Sequence, residues 1–295
     1  MLIGRHRGGP VWLNNFAGAS FFTAYQPPAP TVGAVQVSNW ADFKNALDTG
    51  ATTVEIMVST ITMTDNYQPA FAGTATVVSM VVGGTEFVGL YRIYWYNKIG
   101  YFRGITFSNV GTGYQIKGFS RDLTFYQCVF TPAIACANAV QHNHTFMFGC
   151  VVDGDFSGYP VDLSVNGDAA NCLFINRRAG SGEIGLQAST GASVYNCGAF
   201  CPNDTGTSNC FSGTNITGDY NIGDSTAATS AAVWAAQSHN VLGPLATYFN
   251  GTTWVPTHTT SKAGGDPTHE AALDLFSNDL SVLSQVPIGA IYAGT

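Results

Sequence analysis

The feature that most constrains this chain is a set of cysteines spaced almost evenly through its middle. Cys128, Cys150, Cys172 and Cys197 are separated by 22, 22 and 25 residues. Each lies in a short apolar run: Phe125-Tyr-Gln-Cys128-Val-Phe130, Met147-Phe-Gly-Cys150-Val-Val152, Ala169-Ala-Asn-Cys172-Leu-Phe174 and Val194-Tyr-Asn-Cys197. Phe102-Arg-Gly-Ile105-Thr-Phe107 has the same shape, with Ile105 in the cysteine slot. A repeat of this length means a solenoid.

Apolar stretches of only four to eight residues, rich in Val, Ile, Phe, Tyr and Thr, alternate with turns of Gly, Asn, Asp and Ser. That is strand-and-turn chemistry rather than the longer amphipathic runs of helical repeats. The leucine and asparagine pattern of a leucine-rich repeat is absent, which leaves a parallel β-helix with two or three short strands per coil. A second strand column recurs in step: Gly113-Tyr-Gln-Ile116, Ala137-Asn-Ala-Val140, Pro160-Val-Asp-Leu163, Glu183-Ile-Gly-Leu186 and Cys210-Phe211. Stacked coils place equivalent side chains about 4.8 Å apart, so the cysteines are expected to form an inward ladder of small apolar groups. Their parallel Cβ directions disfavour disulfides, and seven cysteines is an odd number, so free buried thiols are expected. No CxxC pair or Cys/His spacing suggests a metal, and Cys197 and Cys201 have no histidine pair nearby.

Composition narrows the function. Only 10% of the 295 residues are charged, against about a quarter in ordinary domains. A net charge of −7 without a basic run argues against nucleic-acid binding. No apolar stretch is long enough for a membrane helix. The start, Met1-Leu-Ile-Gly-Arg-His-Arg, does not read as a secretory signal, so assembly in a reducing cytoplasm is expected.

Along the chain, residues 1–34 read as an extended arm carrying Trp12, Phe16, Phe21, Phe22 and Tyr25. These aromatics either pack back along their own solenoid or anchor the arm on neighbouring subunits; the second is the reading adopted. A helix follows at 39–48, with Ser38 as a candidate cap, Trp40, Phe43 and Leu47 on one face, and Gly50 as its stop. It is expected to cover the open end of the solenoid, which spans 35–224. Strands are expected at 53–58, 76–82 and 87–96. Residues 225–295 read as an irregular region closing the solenoid, with possible helices at 225–237 and 269–276.

This arrangement resembles the right-handed parallel β-helix proteins of the pectate-lyase-like superfamily. The resemblance covers roughly residues 35–295. It rests on the opening helix followed by Ala51-Thr-Thr-Val-Glu-Ile56, the Phe-x-x-Cys-x-Phe coils, Asp219-Tyr-Asn-Ile-Gly-Asp224 and Pro287-Ile-Gly-Ala-Ile-Tyr292. The last is similar to an ending common among members from bacteriophages and environmental bacteria. The superfamily includes lyases, hydrolases, adhesins and virion parts, so the resemblance implies fold more than function.

Polysaccharide cleavage would need opposed carboxylates, or a base with calcium-binding acids. The weak candidates are Asp153, Asp155 and Arg177, with Asp155 and Arg177 placed on adjacent coils by the repeat. A surface ion pair is the plainer reading. The adjacent-strand Asp pairs and the Gly-His-Gly of the polygalacturonase family are missing. A second column, Asp122, His144 and Asn166, reads as a ladder of turn residues rather than a proton relay. The expectation is therefore a non-catalytic structural component of a phage particle, a capsid decoration or fibre-like subunit, homotrimeric and anchored on a capsid or other virion protein through its arm. The alternative is a polysaccharide-binding or -cleaving tailspike domain. No cofactor and no metal is expected.

Overall fold

The computed structural model describes residues 25–70, 73–96, 98–109, 113–119, 121–142, 144–163, 166–188, 191–206, 209–213, 217–224, 239–268, 280 and 286–291. The sequence expectations for residues 1–24, 225–237 and 269–276 lie outside the described residues, and Trp12, Phe16, Phe21 and Phe22 with them.

The chain winds into a right-handed parallel β-helix of about eight turns. Three parallel sheets form its walls, with eight, nine and six strands. Sheet I runs from Val35–Val37 and Thr53–Ile56 to Ser193–Tyr195, sheet II from Thr60–Thr62 to Val241–Leu242, and sheet III from Ile93–Tyr96 to Asn209–Ser212. Strands pair with their equivalents one coil away, in continuous register. Val54, Val77, Phe102, Phe125, Met147, Ala169 and Val194 form one inward column of sheet I. In sheet II the inward column runs Phe87, Phe107, Phe130, Val152 and Phe174. The Phe107 and Phe130 rings stack with centroids 4.7 Å apart, close to the strand spacing that sets the rise.

The expected strand at 87–96 divides into Thr85–Val88 and Ile93–Tyr96, because Gly89 (φ 127°) turns the chain between sheets II and III. The Phe-x-x-Cys-x-Phe motif also spans two walls. The residue before each cysteine has positive φ: Gln127 at 53°, Gly149 at 59°, Asn171 at 51° and Asn196 at 55°. Gly104 before Ile105 (66°) and Tyr220 before Asn221 (59°) continue the column. The cysteines thus occupy a left-handed corner between sheets I and II, not a strand. There the cysteine does more than fill space. The Cys128 N–H donates to Cys150 Sγ at 3.4 Å, and the Cys172 N–H to Cys197 Sγ at 3.4 Å. In the last coil Asn221 takes the slot, accepting from the Cys197 N–H at 2.9 Å and donating to Val194 O at 2.9 Å. The side chain of one coil thereby satisfies a corner amide of the coil before it. All seven cysteines are free and buried, and burial raises the thiols of Cys128 and Cys172 well above their ordinary range.

Helix α1, Trp40–Asp48, closes the first coil. Its cap is Asn39 rather than Ser38: Asn39 accepts from the Asp42 N–H at 2.9 Å. Phe43 packs edge-on against Phe87 at 5.3 Å, and the Trp40 indole donates to Asp65 at 2.6 Å. Gly50 (φ 84°) ends the helix as expected. The Asp219–Asp224 motif finishes the other end: Asp224 accepts from the Cys201 N–H at 2.8 Å, and burial pushes its carboxyl up to about 6.

The tail lies along the outer face of sheet II as well as extending it. Val129, Val151, Leu173, Ile175, Phe200 and Ile222 point outward, yet are buried in a second apolar core with Leu245, Tyr248, Phe249, Trp254 and Ile288. The helical turns α2, Leu245–Tyr248, and α3, Thr259–Ala263, frame this layer. Asn171 donates to Pro287 O at 2.8 Å and Asn196 to Asp266 O at 2.9 Å, so the corner asparagines also fasten the tail.

Two outcomes are expected from the corner. Folded protein should show no reaction of its thiols with an aromatic disulfide reagent, and denatured protein should show all seven. Cys150→Ala should cost about 1–3 kcal/mol in urea unfolding, because it strands a buried amide as well as emptying a slot.

Candidate functional site

The acids singled out in the sequence lie where sheet II meets the tail. The strand Val151–Gly154 pairs with Leu173–Asn176, Asp153 opposite Ile175, and the Arg177 N–H donates to Gly154 O at 2.7 Å. Asp153 and Arg177 therefore sit on neighbouring coils and share an outward face. The Arg177 guanidinium reaches Asp153 through two bonds, Nε to Oδ1 at 2.5 Å and Nη2 to Oδ2 at 2.6 Å. Trp254 Nε1 adds a third donor to Oδ2 at 2.6 Å, and Arg177 Nη2 also donates to Gly251 O at 2.5 Å. The Asp153 side chain is only 7% exposed.

This is a bidentate carboxylate–guanidinium pair, the strongest kind of charge-assisted contact, with the tail locked into it. Trp254 itself has φ 60°, a conformation that a bulky residue holds only where its surroundings fix it. Asp155, half-exposed, pairs instead with Arg178 at 3.6 Å, while Arg178 also faces Glu183 at 3.4 Å. Burial raises the Glu183 carboxyl despite Arg178 beside it. The three residues proposed from sequence thus divide: Asp153 and Arg177 join the clasp under Trp254, and Asp155 stands apart with Arg178. The signal for the clasp partner was not local, since Trp254 follows Asp153 by 101 residues.

The column Asp122, His144, Asn166 lies at turns. His144 Nδ1 is 3.8 Å from Asp122 Oδ1, both side chains are partly exposed, and Asn166 has φ 62°. His142 is the buried histidine. It faces inward opposite Leu163 in sheet III, 1% exposed, with Nδ1 accepting from the His144 N–H at 3.2 Å. Burial pushes its imidazole down to about 4. A further pair, Asp219 and His239 at 2.7 Å, pins the returning chain to the last corner, where Tyr220 and His239 stack at 4.3 Å.

Tyr25 is the described member of the aromatic arm. Its ring covers Gly104, where a side chain would collide with it, and its hydroxyl donates to Ser79 O at 3.0 Å. It is 4% exposed, so its packing is on its own solenoid. The partner-binding role expected of it is not the use this chain makes of it.

The outer face of sheet III is chemically distinct and was not singled out from the sequence. Tyr94, Lys117, Gln141, Asp162 and Gln187 follow one another coil by coil in one column. Tyr94 and Tyr96 stack at 5.7 Å, Lys117 Nζ lies 4.6 Å from the Tyr114 ring, and Tyr159 donates to Asp162 at 3.4 Å. The signal was there in the alternate residues of Tyr94-Trp-Tyr96 and Tyr114-Gln-Ile-Lys117. Such a face offers flat aromatic surfaces with amide and carboxylate groups beside them. Among the described residues no group of three or more His, Cys, Asp and Glu is placed to hold a metal ion, and no helix is long and apolar enough to cross a membrane.

No protein-family model, no curated protein and no solved structure matches this chain.

Breaking the clasp should release the tail. Asp153→Ala leaves the Arg177 charge half-buried without its partner and is expected to cost about 3–5 kcal/mol, with faster proteolysis within 245–268. Trp254→Phe removes one donor and should cost about 1–2 kcal/mol. The His142 effect has a definite sign. Its folded pKa lies below the unfolded value, so the unfolded chain takes up the proton first. Stability should be complete above about pH 6.5 and fall by up to about 3 kcal/mol as pH drops toward 4. His142→Leu should remove that part of the slope in urea midpoints measured across pH.

Proposed function

We infer that this chain is a non-catalytic structural subunit of a phage particle, a decoration or fibre-like protein that assembles as a homotrimer, attaches to a capsid or other virion protein through its N-terminal arm and projects its solenoid outward. The observation that carries the non-catalytic part is the Asp153–Arg177–Trp254 clasp. The acid and arginine best suited to lyase chemistry are saturated by each other and covered by the tail. A base or acid in that position has no free lone pair directed at substrate. Supporting the particle reading are the low charge, the aromatic arm and the tail motif similar to that of phage-borne β-helix proteins.

Attachment falls to the distal arm, with Trp12 and Phe16 as its anchors. Sedimentation should therefore find the full chain oligomeric and a chain lacking residues 1–17 monomeric, with unchanged circular dichroism. Identical monomers from both would remove the reading's main support. Truncation should not extend past Tyr25, since its ring seals the Gly104 corner.

A second reading, glycan binding, is favoured by the outer face of sheet III. Tyrosine rings can stack on the apolar faces of sugar rings while Gln141, Asp162 and Gln187 bond to hydroxyls. On this reading a glycan array gives hits that Tyr94→Ala with Lys117→Ala abolishes without loss of stability. An array with no such hits would leave sheet III as plain solvent surface.

A further inference from the structure

Two outward columns of sheet I run the length of the solenoid. One contains Glu55, Val78, Arg103, Tyr126, Phe148, Ala170 and Tyr195 in coil-by-coil register. The other carries Thr76, Tyr101, Thr124 and Phe146. The face is unusual for a solvent side. It carries aromatic side chains in four of these coils, and Tyr101 is 43% exposed.

The first coils of this face are already covered, and by this chain. The segment after Tyr25 crosses them: Thr31 N–H donates to Glu55 Oε1 at 2.5 Å, and Gln36 reaches Glu55 Oε2 at 3.4 Å. Glu55 and Val78 are buried as a result, at 2% and 8% exposure. The direction of travel is fixed by these contacts. Tyr25 is held at Ser79, Gly83 and Gly104, whereas Val35–Val37 pairs with Thr53–Ile56. From Tyr25 onward the chain therefore runs toward the helical cap. Followed backward from Tyr25, it heads over Arg103 toward Tyr126, Phe148 and Tyr195.

We propose that residues 19–24, with Phe21 and Phe22, occupy the outer face of sheet I of their own chain, continuing the cover that residues 25–36 begin. The reach agrees. Four coils from Arg103 to Tyr195 span about 19 Å at about 4.8 Å each, which six extended residues at about 3.3 Å cover. The chemistry agrees too, since residues 8–25 include no charged side chain and the uncovered face is aromatic with few charges. The arm then divides by function: Phe21 and Phe22 clamp it to the solenoid, and residues 1–18, with Trp12 and Phe16, extend beyond. This goes beyond the particle reading and stands whether or not the distal half binds a particle.

The test places a photo-crosslinking benzophenone amino acid at position 22 of the full chain, mixing light and ¹⁵N-labelled protein before irradiation. The expected adducts join position 22 to peptides containing Tyr126, Phe146 or Phe148, always light to light or heavy to heavy. Mixed light–heavy adducts would hand the face to a second copy and overturn the proposal. So would adducts confined to other faces, or none on sheet I. As a second measure, F21S/F22S should raise binding of an apolar fluorescent dye about two-fold or more, and adding F146T/F148T should return it to the starting level. Since Phe146 and Phe148 lie on the outward face, a dye signal unchanged in F21S/F22S would count against the clamp rather than report misfolding.

Discussion

At each corner between sheets I and II one residue holds a positive φ, and the residue after it points into the solenoid with its amide turned toward the next coil. Everything else in the fold depends on satisfying that amide. A short side chain that accepts a hydrogen bond from one direction and fills a narrow slot in the other meets the need, and cysteine does both. The Cys128-to-Cys150 and Cys172-to-Cys197 contacts bind each coil to its successor at the point where no ladder bond is available. Asn221 ends the series with a full amide side chain, where the regular coils stop.

The corner also explains where the two ends of the chain attach. Because its residues are small or polar, the corner forms a groove between two walls. Tyr25 covers it at Gly104, and the tail bonds to it at Asn171 and Asn196. The tail could settle there because sheet II lacks a polar outer side. The clasp of Asp153 and Arg177 with Trp254 then fixes the tail's position. Residues with the makings of a catalytic set are thereby used to hold two layers together. What remains open to ligands is the outer face of sheet III, and what remains open to subunits is the arm.

Much of the fold was legible in the sequence because a repeat states its rule several times. Cysteine spacing gave the coil length, the second apolar column gave another wall, and Trp40, Phe43 and Leu47 marked the capping helix. The corner was less visible, since Gln127, Gly149, Asn171 and Asn196 look unrelated until their shared backbone conformation is known. The apolar outer side of sheet II had a signal that alternation alone does not convey. Leu173, Phe174 and Ile175 are successive and all buried, as in a strand covered on both faces. The clasp had no comparable signal. Its members come from distant parts of the chain, and the 22-residue period pointed to Asp155 as the partner of Arg177 when the side chain in fact reaches Asp153.

The most direct test of the corner is amide hydrogen exchange resolved at Cys128, Cys172 and Cys197. Turn amides open to solvent exchange without unfolding, whereas amides accepted by the next coil's side chain exchange only when coils separate. The expected result is exchange at the global unfolding rate for all three, with the Cys128 amide alone becoming fast in Cys150→Ala. Rapid exchange at these positions in the unaltered protein would contradict the account.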